Sequence, residues 1–307
     1  MPAAAHHATA RPRLRRGTAC LAAFALLAWA GACVPARAGD AAAAVSEQAV
    51  RLGGLDAVVW LPPDAASGKL PLLLFSHGFH GCATQSRFLM EAFAQAGYLV
   101  AAPNHRDATC HGGAQSWGDR PAVPFKQPEQ WSADSFRDRA DDLRSLLEAL
   151  RADPRFAPRA DFSRIGLVGH SLGGYTVLGL AGAWPGWKLD GVRAVLALSP
   201  YSQPFVQHHT LGRLDAPVMY QGGTRDFGVT PTLHKSAGAY DQSPAPKYYV
   251  EFRGAGHLAW TDLGRRDRQA IVDYSLAFLD RYLRGAPAAA ILAAPAAEVA
   301  ELRSQGG

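Results

Sequence analysis

The run Gly169-His170-Ser171-Leu172-Gly173 constrains this chain more than any other part of it. It follows the apolar stretch Ile165-Gly166-Leu167-Val168 and leads straight into a helical pattern. A G-x-S-x-G sequence in that setting describes a sharp strand-to-helix turn. The turn strains the serine backbone and lifts its hydroxyl above a sheet, and glycines flank it because neighbouring backbone must pass close by. Outside that setting the same five residues would say little. Here the strand, the helix and the additional Gly174 make Ser171 the candidate nucleophile.

A serine hydroxyl is a weak nucleophile at its free pKa, so it needs a base, and the base needs a third group to fix its tautomer. Val218-Met219-Tyr220-Gln221-Gly222-Gly223-Thr224-Arg225-Asp226 puts an acid just past a strand end, and Gly254-Ala255-Gly256-His257 puts a histidine on a glycine-rich loop after the next strand. The chain order Ser171, Asp226, His257 is the one that accompanies such a turn. Asp215 precedes its strand, Asp262 follows too soon after the histidine, and His170 inside the turn should point away from the hydroxyl. Acyl transfer also needs two preorganised N–H donors for the developing oxyanion. Leu172, at the helix N-terminus, is expected to supply one. Phe79, in Ser76-His77-Gly78-Phe79-His80-Gly81, is expected to supply the other, with His77 fixing that loop. His208-His209 lie in a loop after a strand end and read as solvated or hydrogen-bonded surface groups; no metal role is expected for them or for His80, His105 and His111, and no metal or organic cofactor is implied.

The apolar runs alternate with helical patterns, the signature of an α/β fold with a mostly parallel sheet covered by helices on both faces. Strands are expected at 55–61, 70–76, 98–102, 164–169, 192–199, 217–221 and 247–252, and helices at 86–96, 132–151, 172–183, 232–240 and 266–283. The segment 103–128 lacks regular pattern and follows a strand end, so it is expected to wall or cover the site. One domain over 50–284 is expected, preceded by a low-complexity lead-in at 39–49 and followed by a weakly ordered, Ala-rich tail at 285–307.

Residues 1–38 read as a secretory signal peptide. Four arginines precede an apolar run of about a dozen residues, where about 20 are needed to span a bilayer, and Ala36-Arg37-Ala38 offers a cleavage site. Ala30-Gly31-Ala32-Cys33 loosely resembles a lipobox, the alternative reading. The leader also explains the net charge of +5. It holds five of the 31 basic side chains and no acid, leaving 26 basic against 26 acidic. The remainder is near neutral, which argues against a nucleic-acid partner. A periplasmic or secreted monomer without a stable membrane span is expected. Cys20 and Cys33 leave with the leader; Cys82 and Cys110 remain, and in an oxidising compartment they are expected to pair.

The combination of 71–81, Gly97-Tyr98-Leu99-Val100-Ala101-Ala102-Pro103, Gly169 to Gly174 and Gly254-Ala255-Gly256-His257 resembles the dienelactone-hydrolase-like branch of the α/β hydrolases across nearly the whole mature chain. Asn104-His105-Arg106-Asp107 and the stretch 257–263 are similar to platelet-activating-factor acetylhydrolases. Phe79 and Tyr201 are similar to the aromatic pair of bacterial cutinases and polyester hydrolases. The resemblance implies a carboxylic-ester hydrolase working through an acyl-enzyme on short-chain or aryl esters, with Phe79 and Tyr201 forming a substrate subsite. An ester-containing polymer as substrate, or transfer of the acyl group to an alcohol, would use the same triad. Two departures stand out. Dienelactone hydrolases proper use a cysteine nucleophile. The polyester hydrolases place their disulfide near the acid and histidine loops, whereas a Cys82–Cys110 bridge would clamp the oxyanion loop to 103–128.

Overall fold

The computed structural model describes residues 44–63, 68–110, 118 and 120–307. The expected leader, with its lipobox alternative, therefore lies outside the described residues, as does His111.

Among the described residues nine strands form one sheet: β1 (Ser46–Leu52), β2 (Leu55–Leu61), β3 (Leu70–Ser76), β4 (Leu99–Pro103), β5 (Ala160–His170), β6 (Val192–Leu198), β7 (Val218–Gly223), β8 (Lys247–Phe252) and β9 (Val299–Gln305). Their spatial order is β1-β2-β4-β3-β5-β6-β7-β8-β9. Strands β3 to β8 pair in parallel, while β1, β2 and β9 are antiparallel to their neighbours. The α-helices among the described residues are α1 (Arg87–Gln95), α2 (Arg137–Ala152), α3 (Leu172–Leu178), α4 (Gln203–His208), α5 (Thr230–His234), α6 (Ala239–Gln242) and α7 (Arg268–Arg284).

The central strands are continuous apolar runs because both faces are buried. Leu72, Leu74, Leu167 and Val195 pack on one side with Leu143, Leu146, Leu147 and Leu150 of α2. Leu73, Phe75, Val168 and Leu196 pack on the other with Phe93 of α1 and Phe278 of α7. Successive residues of one strand thus serve opposite cores, as the period of two requires.

Several elements differ from the sequence expectation, among them α4, which falls where a loop was expected. Residues 46–49 of the expected lead-in belong to β1, whose alternating exposure marks a half-buried edge strand. The expected weakly ordered tail ends in β9, which pairs with β8 from Lys247↔Gln305 to Phe252↔Val299. Its sequence VAELRSQ is mostly polar, and pairing with a buried neighbour is what orders it. The helix expected at 232–240 is two short helices, α5 and α6: the chain turns out of α5 at Lys235 (ψ 158°) and passes through the left-handed region at Ala237 (φ 55°), and Gly238 then packs against the carbonyls of Thr232 and Lys235, where a Cβ would lie 2.5 and 2.7 Å away.

Candidate active site

The turn after β5 is as tight as its glycines suggest. Ser171 has φ 55° and ψ −116° and precedes α3 directly. A Cβ on Gly169 would lie 2.2 Å from the Gly173 carbonyl oxygen, and one on Gly173 would lie 1.9 Å from that of Ser76. A non-glycine residue at such φ costs on the order of 1–3 kcal/mol, sustained only where the surroundings enforce it.

Parallel strands deliver the partners to the same sheet edge. Asp226 follows β7 and His257 follows β8, and both loops turn back toward the end of β5. His257 Nε2 lies 2.8 Å from Ser171 Oγ, and His257 Nδ1 lies 3.0 Å from Asp226 Oδ2. This geometry fits a neutral imidazole with its proton on Nδ1, donated to the carboxylate, and a free Nε2 lone pair facing the hydroxyl. Burial pushes the Asp226 carboxyl up, but hydrogen bonds from His257 and Ser199 outweigh it and hold it below the usual range. Ser199, just past β6, is a member of the cluster that sequence reasoning missed. Its hydroxyl donates to Asp226 Oδ2 and lies 2.9 Å from His257 Nδ1. No motif marks it; the available signal was its position at the end of the strand between those carrying Ser171 and Asp226.

The rejected candidates lie elsewhere. His170 points under the loop: its Nε2–H donates to the His257 carbonyl at 2.8 Å and its Nδ1 accepts from Gln85 Nε2 at 3.0 Å. Burial, with the neighbouring His257, pushes its pKa down to about 3, so the ring stays neutral. Asp215 pairs with Lys188, and Asp262 caps the Phe88 N–H at 3.1 Å.

The loop after β3 carries Phe79 beside the serine; a Cβ on Gly78 would lie 3.4 Å from Ser171 Cβ. His77 fixes this loop through its tautomer. Its Nε2 accepts the His105 N–H at 3.0 Å, so Nδ1 holds the proton and donates to the Gly78 carbonyl at 2.7 Å. That carbonyl also accepts the Gly81 N–H at 2.9 Å. In a trans peptide the N–H points opposite to the carbonyl, so the Phe79 N–H is turned away from these donors. The Leu172 N–H belongs to the first turn of α3, where helix geometry supplies no internal acceptor. A second serine–histidine–aspartate relay lies beneath: Ser76 Oγ is 2.9 Å from His105 Nε2, and His105 Nδ1 is 2.8 Å from Asp142. Ser76 is wholly buried, so no substrate reaches it.

Two pockets meet at Ser171 and His257. One, of about 840 Å³, is lined by Phe79, Tyr201, Phe125, Gln203, Arg225 and Phe227 among others. Phe125 comes from the segment 103–128 and packs edge-on against both Phe79 and Tyr201, with ring centroids 5.6 and 5.0 Å apart. The Tyr201 hydroxyl donates to the Phe125 carbonyl at 2.7 Å. The other pocket, of about 410 Å³, lies between the Cys82–Cys110 disulfide and Leu258 and Leu263. The disulfide joins the loop after β3 to 103–128, its Cα atoms 6.0 Å apart.

The chain matches the family model described as serine aminopeptidase, S33, over residues 69–257. It belongs to this family of α/β hydrolases. The S33 hydrolase is also 31% identical, over 149 residues, to cutinase est2 of Thermobifida alba, an alignment covering 47% of this chain and 45% of that protein. It thus matches under half the length of that relative. Among its described residues no helix is long and apolar enough to cross a membrane. One group, His234, Glu251 and Glu301, brings metal-ligand atoms within 4.8 Å of one another. It lines neither pocket, and the Arg303 guanidinium already holds Glu301 at 2.6 Å.

Proposed function

We propose that this hydrolase is an exported carboxylic-ester hydrolase, with Ser171 as nucleophile, His257 as general base and acid, and Asp226 as the group that orients the imidazole. The observation that carries the reading is the bridging position of His257, 2.8 Å from Ser171 Oγ and 3.0 Å from Asp226 Oδ2, at the junction of two pockets.

In this reading Ser171 Oγ attacks the ester carbonyl carbon as its proton passes to His257 Nε2. The Phe79 and Leu172 N–H groups hold the oxyanion, and collapse expels the alcohol, which takes the proton from His257. Water then attacks the acyl-enzyme by the same route and restores Ser171. Acyl and alcohol portions need separate space on either side of the serine, which the two pockets offer. Phe79 and Tyr201, bracketing Phe125, give the larger one an aromatic wall suited to short or aryl groups. A disulfide in the site wall supports action in an oxidising compartment, as the basic leader at 1–38 also does.

A second reading, a polymeric or aggregated ester as substrate, is favoured by one observation. Among the described residues the exposed large hydrophobic side chains are Phe227, Leu258 and Leu263, and all three line these two pockets. An apolar rim around a catalytic cleft suits an apolar surface better than a dissolved ester.

The deciding measurement is turnover of p-nitrophenyl esters from acetate to palmitate, beside matched amides, with fluorophosphonate labelling of the wild type and Ser171→Ala. Ester turnover with labelling abolished in the variant is expected. Labelling that survives Ser171→Ala would overturn the assignment, and faster amide than ester turnover would make the chain a peptidase or amidase.

A further inference from the structure

Arg139 is a buried charge in a place where stability does not reward it. It is the third residue of α2, at the positive end of the helix dipole, and is wholly buried. Its ion-pair partner among the described residues is Asp107 alone, Nε to Oδ1 at 3.2 Å. Taking a guanidinium out of water costs several kcal/mol, and one such contact does not make the pair better than apolar packing.

The remaining nitrogens are directed at the two backbone segments that flank Ser171. Arg139 Nη2 donates to the His77 carbonyl at 2.7 Å and reaches the Gly78 carbonyl at 3.4 Å. Gly78 C=O and Phe79 N–H are the two ends of one planar peptide. Arg139 Nη1 reaches Thr176 Oγ1 at 3.4 Å, and that hydroxyl donates to the Leu172 carbonyl at 3.1 Å. One planar fork thus touches the loop that presents the Phe79 N–H and, through Thr176, the first turn of the helix that presents the Leu172 N–H.

We propose that Arg139 is a positioning residue that sets the spacing and aim of these two oxyanion donors. The proposal rests on the reading of Ser171 as the nucleophile. It follows from the shape of the guanidinium: a lysine keeps the charge but is a point donor that cannot span loop, helix and Asp107 at once. Donors off by a fraction of an ångström still admit substrate but stabilise the transition state less.

The test compares the full chain with Arg139→Lys and Thr176→Val, measuring p-nitrophenyl ester kinetics, far-UV circular dichroism and thermal melting. It adds affinity for a trifluoromethyl ketone, whose serine adduct carries the oxyanion, against the matching methyl ketone. For Arg139→Lys the expected result is a kcat about tenfold to a hundredfold lower with KM unchanged, short of the roughly 10²–10³-fold loss from removing a donor outright. Trifluoromethyl ketone affinity falls in step, methyl ketone affinity does not, and Thr176→Val shows the same pattern at about threefold to tenfold. A folded Arg139→Lys with wild-type kcat overturns the proposal, and so does an equal loss for both ketones. If Arg139→Lys does not fold, Thr176→Val decides by the same readouts. Failure of the nucleophile assignment shows separately, as labelling retained in Ser171→Ala.

Discussion

The Ser199 hydroxyl donates to Asp226 Oδ2, the same carboxylate oxygen that stands 3.0 Å from His257 Nδ1. Ser199 sits at φ 42°, in the left-handed region, where its backbone N–H also binds the Gln221 carbonyl at 2.8 Å. Ser199 Oγ and His257 Nδ1 stand 2.9 Å apart, so the two groups and Asp226 Oδ2 form one compact triangle that fixes this carboxylate oxygen beside the imidazole.

Ser199→Ala removes one corner of that triangle and leaves the contact between His257 and Asp226. A hydrogen bond to a charged group is worth about 1.5–3 kcal/mol to the fold, but only the share that differs between ground and transition states reaches kcat, so a fall of about threefold to tenfold with KM unchanged is expected. Asp226→Asn should cost far more, about 10⁴-fold, because it reverses the tautomer. Steady-state kinetics on one soluble ester check both; a Ser199→Ala enzyme as poor as Asp226→Asn would mean that Ser199 belongs to the reacting set.

The turn glycines predict a folding failure. A Cβ on Gly173 would lie 1.9 Å from the Ser76 carbonyl oxygen, which is backbone at the end of β3 and cannot swing aside. Gly173→Ala is expected to destabilise by more than about 4 kcal/mol and to accumulate as insoluble protein. Soluble yield and a urea transition measure this. A soluble, cooperatively melting variant would show that α3 can shift away from β3.

The Cys82–Cys110 bridge closes a loop of sequence separation 28. In the chain-entropy account such a cross-link stabilises by about 3–4 kcal/mol. Thermal melting of the wild type with and without reductant, beside the Cys82→Ser/Cys110→Ser double variant, should show matching losses. The same treatments should raise KM, because the bridge forms one wall of the smaller pocket.

Much of this organisation was legible in the sequence. Strands β2, β3 and β8 begin and end where their apolar, β-branched or aromatic runs do, and the chain order of Ser171, Asp226 and His257 anticipated that they meet. What escaped notice depends on tertiary neighbours. β9 is polar and exists through its pairing with β8; Ser199 matters because β6 lies between β5 and β7; Phe125 sits on a segment with no periodicity. Arg139 is one arginine among several on α2, and only the helix's rotation against the loop after β3 separates it from the solvated ones.

Buried histidines set an acid limit to stability. Burial lowers the pKa of His77 and His105 well below the ordinary value, and that of His170 to about 3. A histidine with a depressed folded pKa leaves stability intact above its unfolded value of about 6.5 and removes it as pH falls toward the folded one. Asp142, pushed by burial up to about 6, works in the opposite sense, since its native form gains a proton that the unfolded chain does not bind. Burial also raises Asp138 and Asp267, but a raised carboxylate acts only as pH falls toward its native pKa, whereas the three histidines act from about 6.5 downward, so the urea midpoint should fall as the pH is lowered from 7.5 to 5. His170 alone contributes roughly 2 kcal/mol of that loss. In His170→Asn the slope should shrink by up to one proton; an unchanged slope would mean that His170 is protonated in the native state.

The apolar rim separates the two substrate readings. Phe227, Leu258 and Leu263 are 81, 50 and 76% exposed, so replacing Phe227 and Leu263 by serine removes apolar surface without opening the core. Burying such a side chain against an apolar surface is worth about 1.5–3 kcal/mol. If the rim docks on a polymer or aggregate, the double variant should lose about tenfold or more in activity on an emulsified or solid ester. Turnover of dissolved p-nitrophenyl acetate, which needs only the cleft beside Ser171, should change less than twofold. Equal losses on both substrates would assign the rim to the cleft itself, and no loss on either would leave small soluble esters as the substrate class.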